Sequence, residues 1–292
     1  MPEAKIGIIG GTGLYQMDGI SEVEELEMST PFGKPSDTII LGNLEGVRVA
    51  FLPRHGKGHR INPSNIPAKA NIYALKSLGV ERIISVTAVG SLKEEIEPLD
   101  LVIPDQLIDR TKGRDSTFFT GIAAHIAFAE PFCSVLSQIL FEAATELKVK
   151  VYKGGTHLAM EGPQFSTLAE SRLYRSWGAD IISMTVLPET KLAREAEICY
   201  AVLAIVTDYD CWHPSYGPVT TNTIFTNLEK GVDAAKRVLK KAIPSVPQER
   251  NCACATALKD ALATSPEYIP DEVKRDLALL IGKYLSEREN VS

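Results

Sequence analysis

Two stretches hold the residue types on which chemistry could rest. In Thr207-Asp208-Tyr209-Asp210, two carboxylates stand two residues apart directly behind an apolar β-branched run. Carboxyls this close repel, and at least one tends to keep its proton. Such a pair could hold a metal, exchange hydrogen bonds and a proton with a heterocycle, or lie solvated in an acidic loop. No further His or carboxylate stands near it at metal-ligand spacing. The other stretch, Lys5 to Tyr15, breaks from an apolar run into Gly10, Gly11, Thr12 and Gly13. Glycines there could take positive φ and turn consecutive N–H groups toward an anion, with the Thr12 hydroxyl as a further donor. Gln16 stands where a dinucleotide fingerprint needs its third glycine, and the lysine of a phosphate-binding Walker loop is missing.

In open α/β sheets ligands bind at the carboxyl ends of strands. By that rule Thr12, then Arg54 and His55, then Thr87, then Met184 and Thr185, then Asp208 and Asp210 all converge on one rim. A guanidinium for bidentate contact, hydroxyls and loop N–H groups suit a phosphate. Phe165, in Glu161-Gly162-Pro163-Gln164-Phe165-Ser166, could stack on a flat ligand or pack as core.

The elements that must position these groups alternate in type. Strands are expected in the apolar run that follows Lys5 and breaks at the glycines, and at Thr38 to Leu41, Val47 to Leu52, Arg82 to Val86, Val149 to Tyr152, Asp180 to Met184 and Cys199 to Thr207. The second and third are separated by a turn-rich spacer and read as a hairpin. Helical periodicity covers Ala68 to Leu78, Glu130 to Leu147, Pro188 to Glu197 and Ile224 to Ile243, while Thr167-Leu168-Ala169-Glu170 has the form of a capping box. Near-continuous apolar strands favour a mostly parallel or mixed sheet with helices on both faces, so the fold class is α/β. From Pro244 the composition becomes polar and proline-punctuated. Residues 1–247 thus read as one domain, and 248–292 as a tail, with a helix from Asp271 to about Leu285, that is too short to form its own core.

The chain has 292 residues, 45% of them hydrophobic, and a formal net charge of −6, with basic residues scattered rather than clustered. That composition argues against nucleic acid as a partner. No apolar segment reaches membrane-span length and Met1 to Lys5 leads into no signal sequence, so a cytoplasmic location is expected. Five cysteines, an odd number in a large chain, do not resemble a secreted disulfide framework. Cys252 and Cys254 sit together in the tail as either free thiols or oxidised cysteines pinning it, paired with each other or through Cys199 or Cys211.

Taken in order, these residues resemble the 5′-methylthioadenosine phosphorylases of the purine nucleoside phosphorylase superfamily. The likeness runs from Ile6 to about Pro244, through G-I-I-G-G-T-G-L, T-P-F-G-K-P-S-D at Thr30 to Asp37, R-H-G at Arg54 to Gly56, T-A-x-G-S-L at Thr87 to Leu92, A-E-P-F-C at Ala129 to Cys133, E-G-P-x-F-S at Glu161 to Ser166, M-T-x-x-P-E at Met184 to Glu189 and T-D-Y-D-C-W at Thr207 to Trp212. It implies phosphate-dependent cleavage of 5′-methylthioadenosine to adenine and 5-methylthioribose 1-phosphate, with phosphate as co-substrate and neither metal nor organic cofactor. It also implies a homotrimer or a dimer of trimers. Thr12, Arg54, His55, Thr87, Ala88 and Thr185 would hold phosphate, and Met184 would lie against the ribose. Phe165 and Ser166 would border the base, and Asp208 and Asp210, with Tyr209 between them, would face its N7 and 6-amino edge, Asp208 as the catalytic acid. His125 would reach into a neighbour's pocket, where Thr221 lines the space for the 5′ substituent. Thr221 is polar where an apolar residue would suit a methylthio group better, which leaves the breadth of the 5′ substituent open. A 6-oxopurine nucleoside or 5′-methylthioinosine phosphorylase stands as the alternative, and a purine-binding protein without turnover as a third reading.

Overall fold

A computed structural model describes residues 4–289, apart from Thr12, Gly13, Tyr15, Gln16 and Pro218. Its central strand β1 (Ile6–Gly10) is buried at every position, which is why its sequence is apolar without alternation. It pairs in parallel with β4 (Val47–Pro53) on one edge and β5 (Arg82–Ser91) on the other. Strand β3 (Ile39–Leu44) joins β4 as a hairpin through Glu45 and Gly46, at φ 49° and 80°, the paired positive φ values that match strand twist. Strand β2 (Ile20–Leu26) is a largely exposed edge pairing with β3. Its sequence, I-S-E-V-E-E-L, carries no strand signal because charge there serves to keep a free edge from pairing with other chains.

Beyond β5 the sheet divides. Along one edge of β5 runs β11 (Cys199–Asp208), followed by β6 (Leu101–Ile103) and β8 (Val151–Lys153). At the far end of the other edge come β10 (Ile181–Ser183), β9 (Thr156–Met160) and β7 (Gln106–Arg110). The eleven-stranded sheet is therefore mixed, with antiparallel pairings at β2–β3, β3–β4, β5–β10 and β6–β11. The short strands β6, β7 and β9 carry too few residues to show a period and were not expected from the sequence.

Two apolar layers cover the sheet. On one face α1 (Ala68–Ser77) and α4 (Glu189–Glu195) contribute Ile72, Leu75 and Leu192; on the other, α2 (Ser134–Glu146) and α5 (Thr221–Ala242) contribute Leu140, Val238 and Leu239. The helix α3 (Leu168–Ser176) opens on the capping box read from its sequence: Thr167 accepts from the Glu170 N–H while the Glu170 carboxylate accepts from the Thr167 N–H. Helix α2 begins only at Ser134, after Cys133, so the first turn expected from Glu130 is loop.

The tail belongs to the first layer. Leu258, Leu262, Leu277 and Ile281 join the same buried cluster as Ile72 and Ala196, and each such side chain contributes roughly 1.5–3 kcal/mol of burial. Glu197 fastens it further, accepting from the Leu258 N–H and the Tyr284 hydroxyl. The single helix expected from Asp271 is two, α6 (Asp271–Asp276) and α7 (Ala278–Glu289), divided at Leu277, whose buried side chain turns into the cluster.

Candidate active site

The division of the sheet creates the site. Strand β1 accompanies β5 only as far as Ser85, and β10 meets the same edge only at Gly90. Between them Val86, Thr87, Ala88 and Val89 have β11 on one side and, among the described residues, no strand on the other. That open edge, with Gly11 after β1, lines a cavity of about 380 Å³, within the range of small-molecule sites. Arg54, His55, Thr87, Ala88, Phe165, Met184, Thr185, Asp208, Asp210 and Thr221 all border it, so most of the residues read from the sequence are brought together.

At one end are hydroxyls. Thr87 and Thr185 share a hydrogen bond of 2.5 Å, and a buried relay stands behind them. Ser183 Oγ lies 3.2 Å from Thr185 Oγ1 and 2.7 Å from His157 Nε2. His157 is wholly buried, its Nδ1 has no partner among the described residues, and burial lowers its pKa to about 3, so the ring is neutral. A bare lone pair at Nδ1 is the cheaper orphan than an N–H, which places the proton on Nε2. Ser183 Oγ then accepts from His157 and from the Thr185 N–H, leaving its own hydrogen for Thr185 Oγ1. The Thr87–Thr185 pair then keeps one hydroxyl hydrogen beyond its mutual bond, to be shared between the Ala88 carbonyl, 3.3 Å from Thr87 Oγ1, and a ligand in the cavity.

Two donors expected for an anion are arranged differently from the sequence reading. The Arg54 fork does not face the cavity in bidentate fashion: Nε and NH2 lie 2.6 and 3.1 Å from the Glu189 carboxylate, and NH1 and NH2 also donate to Val86 O and Ser85 Oγ. What remains for an anion is one NH1 hydrogen and the charge. His55 donates Nδ1–H to Ile61 O at 2.9 Å, and burial depresses its pKa to about 4. Neutral and fixed in that tautomer, it offers Nε2 as an acceptor. Nor is the glycine loop as expected at its start: Gly10 and Gly11 do not take positive φ, and a Cβ at Gly10 would meet the tip of the Leu14 side chain, 2.5 Å from its Cδ1. Thr12 and Gly13 lie outside the described residues.

At the other end are the carboxyls. A register shift in β11 between Val206 and Asp208 sets Asp208 opposite Gly90, where a Cβ would come within 2.8 Å of Asp208 Oδ1. Thr207 Oγ1 donates to Oδ2 and the Asp210 N–H to Oδ1, yet burial raises the Asp208 pKa to about 6, with the Asp210 charge a smaller contribution. Burial raises Asp210 too, although the nearby Ser171 and Ser166 hydroxyls hold the rise back. Its Oδ2 is buried without a hydrogen-bond partner among the described residues. An orphaned carboxylate oxygen beside a cavity is a place for a ligand N–H.

Some residues fall elsewhere. Tyr209 alternates away from the cavity, its hydroxyl donating to Glu94 O while the ring packs on Tyr216 and His213. Ser166 does not line the cavity; its backbone carbonyl accepts from Cys211. His125 is exposed and outside its own chain's cavity, held by its backbone N–H, which donates to Ala261 O in the tail at 2.9 Å.

Several residues that shape the site showed no signal in the sequence. Glu189 was legible only as part of a motif, not as the partner of Arg54. The first turns of α5 read as core, but Ile224, Phe225 and Leu228 form an apolar wall of the cavity beside Thr221. Arg114, isolated in its loop, donates to the carbonyls of Met184, Leu187 and Glu161 and so fixes the two loops that carry Met184 and Phe165. His59 stacks on His55, ring centroids 4.2 Å apart.

One class of protein accounts for this fold: residues 5–244 match the phosphorylase superfamily, and the chain belongs to it. Within that class, the chain is 53% identical to the S-methyl-5′-thioadenosine phosphorylase of Gloeobacter violaceus, over 99% of both chains. It is also 53% identical to the enzyme of that name from Koribacter versatilis, over 98% of this chain and 99% of the relative. A crystal structure of a methylthioadenosine phosphorylase from an antarctic soil metagenomic library superposes with a TM-score of 0.92 at 50% identity, covering 96% of this chain and 99% of that one. A double mutant of the adenosine/methylthioadenosine phosphorylase of Schistosoma mansoni, in complex with adenine, gives 0.84 at 36% identity, over 90% of this chain and all of that one. The relatives' coverage extends through the tail, which is therefore not an addition peculiar to this chain.

Proposed function

We propose that the protein cleaves 5′-methylthioadenosine with inorganic phosphate, yielding adenine and 5-methylthioribose 1-phosphate. The observation that carries the reading is the buried, partnerless Oδ2 of Asp210 beside the raised carboxyl of Asp208, at the opposite end of one cavity from the Thr87–Thr185 hydroxyls. A 6-amino group would donate to the Asp210 carboxyl, beside which the Ser171 and Ser166 hydroxyls also stand. A 6-oxo group would bring a second acceptor against it, which disfavours inosine and guanosine.

Phosphate would sit among Thr87, Thr185, the Ala88 backbone and the loop that contains Thr12, with the Arg54 charge behind it. Neutral His55 would accept a P–OH hydrogen at Nε2. Met184 would lie against the ribose and Phe165 over the base. As the glycosidic bond lengthens, positive charge grows on the ribose and negative charge on the purine. Phosphate held on the ribose side stabilises the first; a proton or hydrogen bond from Asp208 to N7 stabilises the second. The 5′-methylthio group would lie on the α5 wall of Ile224, Phe225 and Leu228, which offsets the polarity of Thr221. This chemistry draws on no metal or organic cofactor.

The same reading makes the enzyme a cytoplasmic homotrimer or dimer of trimers, with His125 completing a neighbour's pocket. Among the described residues no helix is long and apolar enough to cross a membrane. Purine release from methylthioadenosine, adenosine, inosine and guanosine, each with and without phosphate, tests the proposal. Methylthioadenosine with phosphate should be fastest, and equal release without phosphate would instead make the protein a hydrolase.

A further inference from the structure

The catalytic reading uses none of the five cysteines, and four of them gather in one place. Cys133 precedes the first turn of α2, Cys199 opens β11, and Cys252 and Cys254 lie at the start of a single helical turn in the tail. Although they come from three separate regions of the chain, their Sγ atoms all lie within 4.8 Å of one another, with Cys199 and Cys252 3.3 Å apart. Cys133, Cys199 and Cys254 are buried and Cys252 is partly buried. All are free thiols, and Cys211, which the sequence reading allowed as a partner for the tail, stands apart beside Ser166.

We propose that Cys133, Cys199, Cys252 and Cys254 bind one zinc ion that clips the tail to the sheet. Four thiolates are a soft donor set, and tetrahedral Cys₄ sites of structural type hold zinc at about 2.3 Å from each sulfur. That geometry sets the sulfurs about 3.8 Å apart, a spacing the cluster reaches by small side-chain rotations. The surroundings suit the charge: zinc with four thiolates carries a net −2, and the guanidinium groups of Arg82 and Arg250 line the same recess. Both are anchored there, Arg82 to the Glu249 carbonyl and Arg250 to the Glu197 carbonyl, with the Glu81 carboxylate at 3.5 and 3.6 Å as a partial counter-charge.

On binding, each sulfur forms a bond to zinc and gives its proton to solvent: four protons leave, and the metal keeps its oxidation state. No oxidant or reductant takes part. The site is structural, since all four positions of the tetrahedron are filled by protein. It is also remote from the chemistry: Cys199 and Asp208 are the two ends of β11, roughly 30 Å apart at strand rise. Its effect is to tie the tail at Cys252 to β11 across 53 residues of chain.

Metal analysis of full-length protein, purified with reductant and without chelator, should find one zinc per chain. Cobalt(II) added to the reduced, metal-depleted protein should give thiolate-to-cobalt charge-transfer and tetrahedral ligand-field bands that saturate at one equivalent. A Cys252→Ser/Cys254→Ser variant should lose at least nine-tenths of the zinc and melt at lower temperature, whereas Cys211→Ser should keep the full amount. Less than a tenth of a zinc per chain in the unmutated protein, together with no charge-transfer band, would overturn the proposal, as would four cysteines found in disulfides without metal. The cobalt spectrum is read on the unmutated chain and stands even where the double variant fails to fold.

Discussion

Arg54 and Glu189 form a bidentate ion pair at 2.6 and 3.1 Å, with both side chains almost completely removed from solvent. Tyr200 adds a third donor to the Glu189 carboxylate at 2.8 Å. Either residue alone would be a buried charge without a counter-ion, so Arg54→Ala or Glu189→Ala should each cost about 3–5 kcal/mol of stability. Loss of turnover in Arg54→Ala would then mix misfolding with lost phosphate affinity. The double variant Arg54→Met/Glu189→Met separates them, because an apolar pair of similar volume is often no less stable than a buried ion pair. Its denaturation midpoint should recover most of the single-variant loss while its KM for phosphate stays raised. Recovery of phosphate affinity along with stability would confine Arg54 to a structural role.

Base selectivity should reside in Asp208 and Asp210. Asp208→Asn removes the proton donor and should lower kcat/KM for methylthioadenosine by about 10²–10⁴-fold. In the unmutated enzyme the protonated Asp208 is the active form, so kcat/KM should decline as pH rises through its pKa of about 6. A pH profile of Asp208→Asn that keeps this decline would assign it to another group. Asp210→Asn places a donor beside position 6 and should narrow the ratio of methylthioadenosine to methylthioinosine turnover; an unchanged ratio would remove Asp210 from base recognition.

Gly90→Ala tests how closely the fold positions the acid. The added Cβ would stand 2.8 Å from Asp208 Oδ1 and 3.2 Å from Ile182 Cγ2, so Asp208 must move. The expected result is a fall in kcat of about 10²-fold, the scale on which a misplacement of about 1 Å acts, with KM for phosphate little changed. A variant with unchanged kcat would show that Asp208 tolerates displacement.

Gly90 also shows where sequence reading stops. The strand-end rule drew Arg54, Thr87, Thr185 and Asp208 to one rim because each follows an apolar run long enough to be recognised. The opening between β1 and β10 depends instead on which strands pair with β5, and pairing is a long-range property that no local period encodes. The direction of the Arg54 fork was hidden for the same reason: its partner lies 135 residues away. Tyr209 went astray in a simpler way: it follows the last residue of β11, and its ring packs on Tyr216 and His213 instead. Resemblance located the motifs and Thr221, while only the packing shows that Glu189, Arg114 and the apolar residues Ile224, Phe225 and Leu228 of α5 belong to the site.

His157 should leave its mark on stability in acid. Its folded pKa, about 3, lies below the ordinary 6.5, so below pH 6.5 the unfolded chain binds a proton that the folded one refuses. Stability from this group is therefore present above pH 6.5 and falls by about 1.4 kcal/mol per pH unit toward its folded pKa. His55, at about 4, acts in the same sense. Asp208 and Glu195, raised to about 6 and about 7, act oppositely as pH falls through those values, so the total slope is partly cancelled. The difference between the unmutated chain and His157→Met isolates the histidine: the variant should lose less stability between pH 6.5 and 5. It should also bind phosphate more weakly at pH 7.5, because Ser183 loses the donor that orients the hydroxyl relay; equal phosphate KM would leave His157 a purely structural residue.

Sharing of the site between subunits is tested by complementation. His125 lies outside its own chain's cavity, on a backbone bond to Ala261 in the tail, and is exposed. If it completes a neighbour's pocket, then His125→Ala chains have faulty partners but intact phosphate ends, and Thr185→Val chains have the reverse. Mixed by partial denaturation and refolding, they form some pockets in which a sound phosphate end meets a sound His125. Each variant alone should show at most a few per cent of the unmutated activity, and the mixture several times more than their mean. Labelled subunits must be shown to exchange in the same sample. Exchange without any gain in activity would place the whole site within one chain and leave His125 as a surface residue.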